Sequence, residues 1–339
     1  MTKATSTTLI TDYNANLYTG RAEPFEPAIA QYWYQHIKAN DSQKIGLLGF
    51  ASDQGVQRNK GRIGAKHAPD KIKSALAVLP ISRELQAQCA DLSNLVGDHG
   101  NICCHDDDVI TENALEQAQA SYSEQMSEMI AKGQLAIGLG GGHEIAWGSF
   151  LGLYQGLEKL KQNQSIGIIN LDAHFDLRND QYATSGTPFR QISEFLHAKN
   201  QPFHYLTIGI SQFGNTAALF ERAENLGVKV ISDDDCYRLD WQDIASQIQA
   251  FINQVDVIYL TIDMDCLSGS VMPAVSAVAA KGLSLDFVER CVSLIIDSGK
   301  VKIIDMAEVS PKYDIDGRGL KVAGRLLAVM IEKVLMQAD

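Results

Sequence analysis

Seven short runs of Ile, Leu and Val constrain this chain more than any other feature: KIGLLGF (44–50), QLAIGLG (134–140), SIGIINL (165–171), HYLTIGI (204–210), VKVIS (228–232), VDVIYLTI (255–262) and VKIIDM (301–306). Polar residues do not alternate along them, so each reads as a strand buried on both faces. Helical signals fill the intervals. The segment 112–132 opens after Thr111 with Glu112 in its first turn, 284–298 starts at Ser284 with acids following, and 319–336 is amphipathic. Buried strands alternating with helices predict an α/β chain, a parallel sheet covered by helices. No linker, low-complexity tract or repeat interrupts it, so one domain is expected over 1–339, with an N-terminal arm and helix over 1–43.

Open sheets of this kind hold their chemistry beyond the carboxyl ends of the strands, so each run has to be followed past its end. The run at 165–171 goes directly into Asp172, His174 and Asp176. If the extended conformation continues, a spacing of two puts these three side chains on one side. The run at 255–262 leads into Asp263 and Asp265 with the same spacing. The run at 134–140 meets Gly140, Gly141 and Gly142 and then His143-Glu144, and the glycines permit backbone approaches that a Cβ would forbid. A phosphate cradle is the rival reading of that loop, but the Gly-Lys-Ser/Thr ending and the G-x-G-x-x-G spacing are both missing.

Nearby carboxylates repel unless a cation lies between them. Asp172, Asp176, Asp263 and Asp265 bring four negative charges, His143 and His174 are neutral when they ligate, and two divalent cations cancel the sum. An oxygen-rich set of this kind suits Mn²⁺ better than the thiolate sites of structural zinc, with Fe, Ni and Zn left open. Two such ions share a bridging water, lower its pKa and clamp a tetrahedral intermediate, which is hydrolase chemistry. A lone His or Asp at a strand end is ordinarily a cap; three such ends together point to metal. Cys266 reads as a small buried apolar residue.

Composition removes other classes. Lys and Arg number 29 against 41 Asp and Glu, a net charge of −12, and no basic stripe is present, so neither nucleic acid nor an anionic membrane is an expected partner. No run of eighteen apolar residues and no signal-peptide pattern occurs, and the six Cys form no C-x-x-C pair. A cytoplasmic protein with reduced thiols is expected.

G-G-G-H-E (140–144), D-A-H-F-D (172–176) and D-M-D (263–265), in this order and at helix-length separations, resemble the three signatures of the ureohydrolases: arginases, agmatinases and formimidoylglutamases. G-R-I-G-A-K-H-A-P-D-K-I-K (61–73) and A-E-V-S-P (307–311) are similar to two further segments of that family. The resemblance runs from about residue 44 to the C-terminus. It implies a three-layer α/β/α domain with a mainly parallel eight-stranded sheet, two Mn²⁺ per subunit and hydrolysis of a C–N bond in a guanidinium or formimino group. It implies one metal on His143, Asp172, Asp176 and Asp263, and another on Asp172, His174, Asp263 and Asp265. Glu308 falls where the family has the carboxylate that pairs with the substrate cation. A homo-oligomer is expected, with no residue pattern that sets its size.

Departures within the family narrow the substrate. Arginases carry an Asn two residues after D-A-H-x-D and then S-G-N-x-H, whose His shuttles a proton; here Arg178 replaces the Asn, and S-G-T-P-F (185–189) puts Phe189 in place of the His. A bidentate-capable cation suits a more anionic substrate. With V-M-P-A-V-S-A (271–277), these residues look most like the formimidoylglutamase branch. The implied reaction is hydrolysis of N-formimidoyl-L-glutamate to L-glutamate and formamide, a step of histidine degradation. Arg178, Arg190, Asn59 and Arg58 are the candidates to hold the substrate carboxylates, and Asp265 is the candidate proton relay. An agmatinase- or arginase-like hydrolase releasing urea, a single-zinc deacetylase and a metal-binding pseudoenzyme remain open at this point.

Overall fold

The computed structural model describes residues 8–39, 42–89, 91–104 and 113–337. Among the described residues ten strands form one sheet: β1 (Thr8–Thr11), β2 (Ile37–Ala39), β3 (Ile45–Ala51), β4 (Val96–Cys104), β5 (Leu135–Gly140), β6 (Ile166–Leu171), β7 (His204–Ile210), β8 (Lys229–Ser232), β9 (Val257–Asp263) and β10 (Val301–Ala307). Their order is β1-β4-β3-β5-β10-β9-β6-β7-β8, with β2 also on β4. From β4 to β8 every neighbouring pair is parallel. These eight strands are the expected parallel sheet, and all seven apolar runs lie in it.

The two additional strands come from the arm. Its helix is not found: among the described residues of 1–43 there are 3-10 turns at Ala15–Leu17 and Trp33–Gln35 and the strands β1 and β2. The outer edge of β4 explains why. An unpaired strand edge exposes a row of N–H and C=O groups; β2 pairs with Val96–Asp98 and β1, antiparallel, with Asn101–Cys104, so the arm closes that edge in two pieces.

Helices cover both faces. On one side Ala114–Ala131 packs on Ile145–Lys159, where Gly148, Gly152 and Gly156 leave space for Tyr122, Met126 and Ile130; a Cβ at these glycines would approach those side chains to 2.8, 2.5 and 2.8 Å. The expected start of the first of these helices, Thr111 and Glu112, lies outside the described residues. On the other side lie Ala68–Ala77, Trp241–Ile252, Leu285–Ile296 and Arg318–Leu335, with Ser284 capping the third through the Phe287 N–H. No helix among the described residues is long and apolar enough to cross a membrane.

Candidate metal centre

Four adjacent central strands, β5, β10, β9 and β6, each end in a residue of interest. After β5 the chain crosses so close to β3 that a Cβ at Gly141 would lie 1.5 Å from the Ser52 carbonyl oxygen, and only glycine passes. The Gly141 and Gly142 N–H groups donate to Phe50 O and Ser52 O, and His143 follows with its backbone N–H donating to Glu308 Oε1 at 3.0 Å. Glu308 itself sits beyond β10 in the left-handed region, at φ 65°, a conformation unusual for a non-glycine residue.

Side chains then converge. His143 Nδ1 lies 2.8 Å from Asp176 Oδ2 and 3.2 Å from both Asp172 Oδ2 and Asp263 Oδ2. His174 Nδ1 lies 3.2 Å from Asp265 Oδ2 and 3.5 Å from Asp172 Oδ1. Two groups result, His143–Asp172–Asp176–Asp263 and Asp172–His174–Asp265, each with potential ligand atoms within 4.8 Å of one another. Asp172 is common to both. Asp263 belongs only to the first: its Oδ1 accepts the Asp265 N–H at 2.9 Å, and its Oδ2 is turned to His143.

The route to this convergence differs from the extended run expected for Asp172, His174 and Asp176. The strand ends at Leu171; Asp172 Oδ1 accepts the His174 N–H at 2.7 Å, and Asp176 adopts φ 48°. A tight turn, rather than strand alternation, brings the three together. Asn215 braces it by accepting from the Phe175 N–H and donating to Ala173 O and Ser211 O. Asp265 rides on the single 3-10 turn Met264–Cys266, and Cys266 is buried in the core.

The electrostatics fit a cation. Burial and the neighbouring carboxylates push Asp263 and Asp176 above the usual carboxylate range, and burial with Glu144 and Asp265 does the same to Glu308. Burial works against a charged His143, but its three carboxylate contacts outweigh it and raise its pKa; His174 is raised by Asp265 in spite of burial. Burial also pushes Glu144 to about 7. Among the described residues, imidazoles alone stand between carboxylates that repel, and a divalent ion with oxygen and imidazole ligands satisfies them all.

The candidate substrate residues separate into two kinds. Arg58, Asn59, Lys60, Arg178 and Arg222 line a cleft of about 390 Å³. Arg58 is held by Glu116 at 2.7 Å, Asn59 donates to Ser185 Oγ at 3.2 Å, and Arg222 donates to Leu177 O at 2.6 Å. Arg178 is exposed, its stem lies over Gly186, and its guanidinium has no hydrogen bond or ion pair among the described residues. Arg190 does not line the cleft: Glu194 holds it at 2.7 Å, and its Nε donates to Arg178 O, so it fixes the backbone of Arg178. Phe189 is fully buried, edge-on to the His143 ring at 5.3 Å and stacked on Tyr205 at 4.5 Å, an aromatic wall with no proton to transfer.

Comparison with known proteins follows the same line. The arginase family model matches residues 43–332. The chain is 56% identical over 334 residues to the formimidoylglutamase of Psychrobacter cryohalolentis, covering 94% of this chain and 96% of that one. The fold is similar to formimidoylglutamase from Bacillus subtilis subsp. subtilis str. 168, with TM-score 0.76 and 23% identity over 92% of this chain and 94% of the other. It is also similar to a Trypanosoma cruzi formiminoglutamase solved with Mn²⁺, with TM-score 0.74 and 25% identity over 87% and 95%.

Proposed function

The chain belongs to the arginase family, and from that premise we propose that it hydrolyses N-formimidoyl-L-glutamate to L-glutamate and formamide with two Mn²⁺ ions. His143, Asp172, Asp176 and Asp263 would hold one ion, and Asp172, His174 and Asp265 the other. When bound, such a pair lowers the pKa of a water and polarises the carbon it attacks.

The chain's own residues supply the rest. Glu308, fixed by the His143 N–H, orients the amidinium through its negative charge. Water adds to the formimino carbon, the bond from that carbon to the glutamate nitrogen breaks, and the nitrogen leaves as an amine after taking up a proton. Asp265 is the relay for that proton, because its Oδ1 has no hydrogen-bond partner and Phe189 can carry none. Phe189 and Tyr205 exclude water behind His143.

The observation that carries the substrate is Arg178: two residues beyond Asp176, it is the guanidinium left unengaged in a cleft whose other arginines are tied down. A dicarboxylate offers it a bidentate partner. No disulfide joins the cysteines among the described residues, in accord with work in a reducing cytoplasm, and the chain acts as a homo-oligomer, which light scattering tests. The deciding experiment gives the Mn²⁺-loaded protein N-formimidoyl-L-glutamate, arginine and agmatine side by side. Equal release of formamide and glutamate is expected; urea from either guanidino substrate at a higher kcat/KM would replace this reading.

A further inference from the structure

Two residues before the ligand-bearing ends, the sheet carries a second polar row. Strand register sets Gly138 beside Asp305, Asp305 beside Thr261, Thr261 beside Asn170 and Asn170 beside Thr207, across β5, β10, β9, β6 and β7. Side chains two apart share a face, so Thr261 and Asn170 stand beneath Asp263 and Asp172. All four polar residues of the row are 0% exposed. Their contacts run to the centre above: Asn170 Nδ2 donates to Asp172 Oδ2 at 2.9 Å, and Thr261 Oγ1 is 3.0 Å from His143 Nε2.

Asp305 is the charged member, and the reaction derived above makes no use of it. No cation among the described residues pairs with it; Tyr259 OH donates to its Oδ2 at 2.6 Å, and its Oδ1 has no hydrogen-bond partner. A buried carboxylate with an open oxygen and no cation is costly to hold, so its place in the row calls for a donor. Burial raises its pKa, and His143, Ser149, Thr261 and Tyr259 pull it back. The demand for such a group comes from His143. A ligating Nδ1 carries no proton, so Nε2 carries one and donates it to Thr261 Oγ1. The Thr261 hydroxyl proton then needs an acceptor, and the residue beside it in the ladder is Asp305 with an open oxygen.

We propose that Asp305 is a positioning residue for the metal centre, acting through Thr261 to hold the His143 ring with Nδ1 aimed at Asp172, Asp176 and Asp263. This rests on the reading of those residues as metal ligands. The effect is one-sided. His174 is 27% exposed at its side chain, and its Nε2 has no partner among the described residues, so the second group lacks such a chain.

Calorimetric titration of metal-stripped protein with Mn²⁺ tests this without an activity readout. The unmodified protein takes up two ions; fewer than two at saturation would overturn the metal reading and the relay together, before any variant is made. Asp305→Asn and Thr261→Val should each weaken one class of site by about 10–100-fold and leave the other unchanged. Thr261→Ser, which keeps the hydroxyl, retains both affinities. Asp265→Asn, added to each, weakens the class left intact and so identifies the affected one as the His143 group. The double variant Thr261→Val/Asp305→Asn should be no weaker than the worse single variant, as links of one chain require. Unchanged affinities in Asp305→Asn, equal loss at both sites, or losses that multiply in the double variant would overturn the assignment.

Discussion

The sheet buries two clusters of charged side chains, and they are built on opposite plans. At the β4 edge Lys73 Nζ donates to Asp98 Oδ1 at 2.7 Å, Gly100 O at 2.9 Å and Asn101 Oδ1 at 2.9 Å, which uses all three of its protons. Asp98 also accepts from the Tyr18 hydroxyl and the Gly100 N–H. At the ends of the four central strands, Asp172, Asp176, Asp263 and Asp265 face two imidazoles, with Asp265 Oδ1 lacking a hydrogen-bond partner. The first cluster is closed and complete within the protein. The second is held open by the turns around it, and what it lacks is positive charge. A buried ion pair is by itself weak evidence of function; a buried set of like charges held together by the fold is stronger evidence.

Damage to the two clusters therefore registers in different measurements. The largest effect is expected from Asp265→Asn, which should lower kcat by about 10²–10⁴-fold, the usual range for a lost proton-transfer group, with the fold intact by circular dichroism. Retained kcat would return Asp265 to a purely ligating role. Next, Lys73→Met leaves the buried Asp98 without its cation and should cost about 3–5 kcal/mol in denaturant unfolding, while Mn²⁺ stoichiometry stays unchanged. A loss of metal with little loss of stability would erase the distinction between the clusters.

Arg178→Ala should raise KM by about 10–100-fold, the equivalent of one charge-assisted hydrogen-bonded contact, with kcat nearly preserved. Unaltered kinetics would remove the substrate anchor.

The smallest expected effect concerns pH. In the metal-free protein the raised His143 and His174 contribute stability that is complete below the ordinary histidine pKa and is lost as pH rises through their folded values. Asp176, raised from 3.8 to about 6, binds its proton more tightly when folded, so its contribution too declines as pH rises through that interval. Mn²⁺ displaces these protons, so the gap in Tm between loaded and metal-free protein should widen from pH 5.5 to 8 by about 2–4 °C or more. A constant gap would mean the ligands are already deprotonated without metal.

The two clusters also differ in how far the sequence discloses them. D-A-H-F-D and D-M-D follow directly on apolar runs, so a local reading finds the ligands, although the turn that converges them, with Asp176 at φ 48°, has no apolar signal. β4 reads VGDHGNICC and was invisible as a strand, because Asp98, His99 and Asn101 are polar and the partners that make Asp98 tolerable, Tyr18 and Lys73, come from distant segments. The row of Asp305, Thr261 and Asn170 was hidden for a related reason: each is one polar residue inside an apolar run, and only strand register brings them side by side. Arg190 could have been discounted. Glu194 lies four residues on, within the helix Pro188–Ala198, and that spacing ordinarily makes an ion pair.

The open cluster is tested most directly by anomalous diffraction at the manganese edge from crystals grown with Mn²⁺. Two peaks about 3.5–4 Å apart are expected, one among His143, Asp172, Asp176 and Asp263 and the other among Asp172, His174 and Asp265, with none at Lys73–Asp98. A single peak, or peaks away from these side chains, would contradict it.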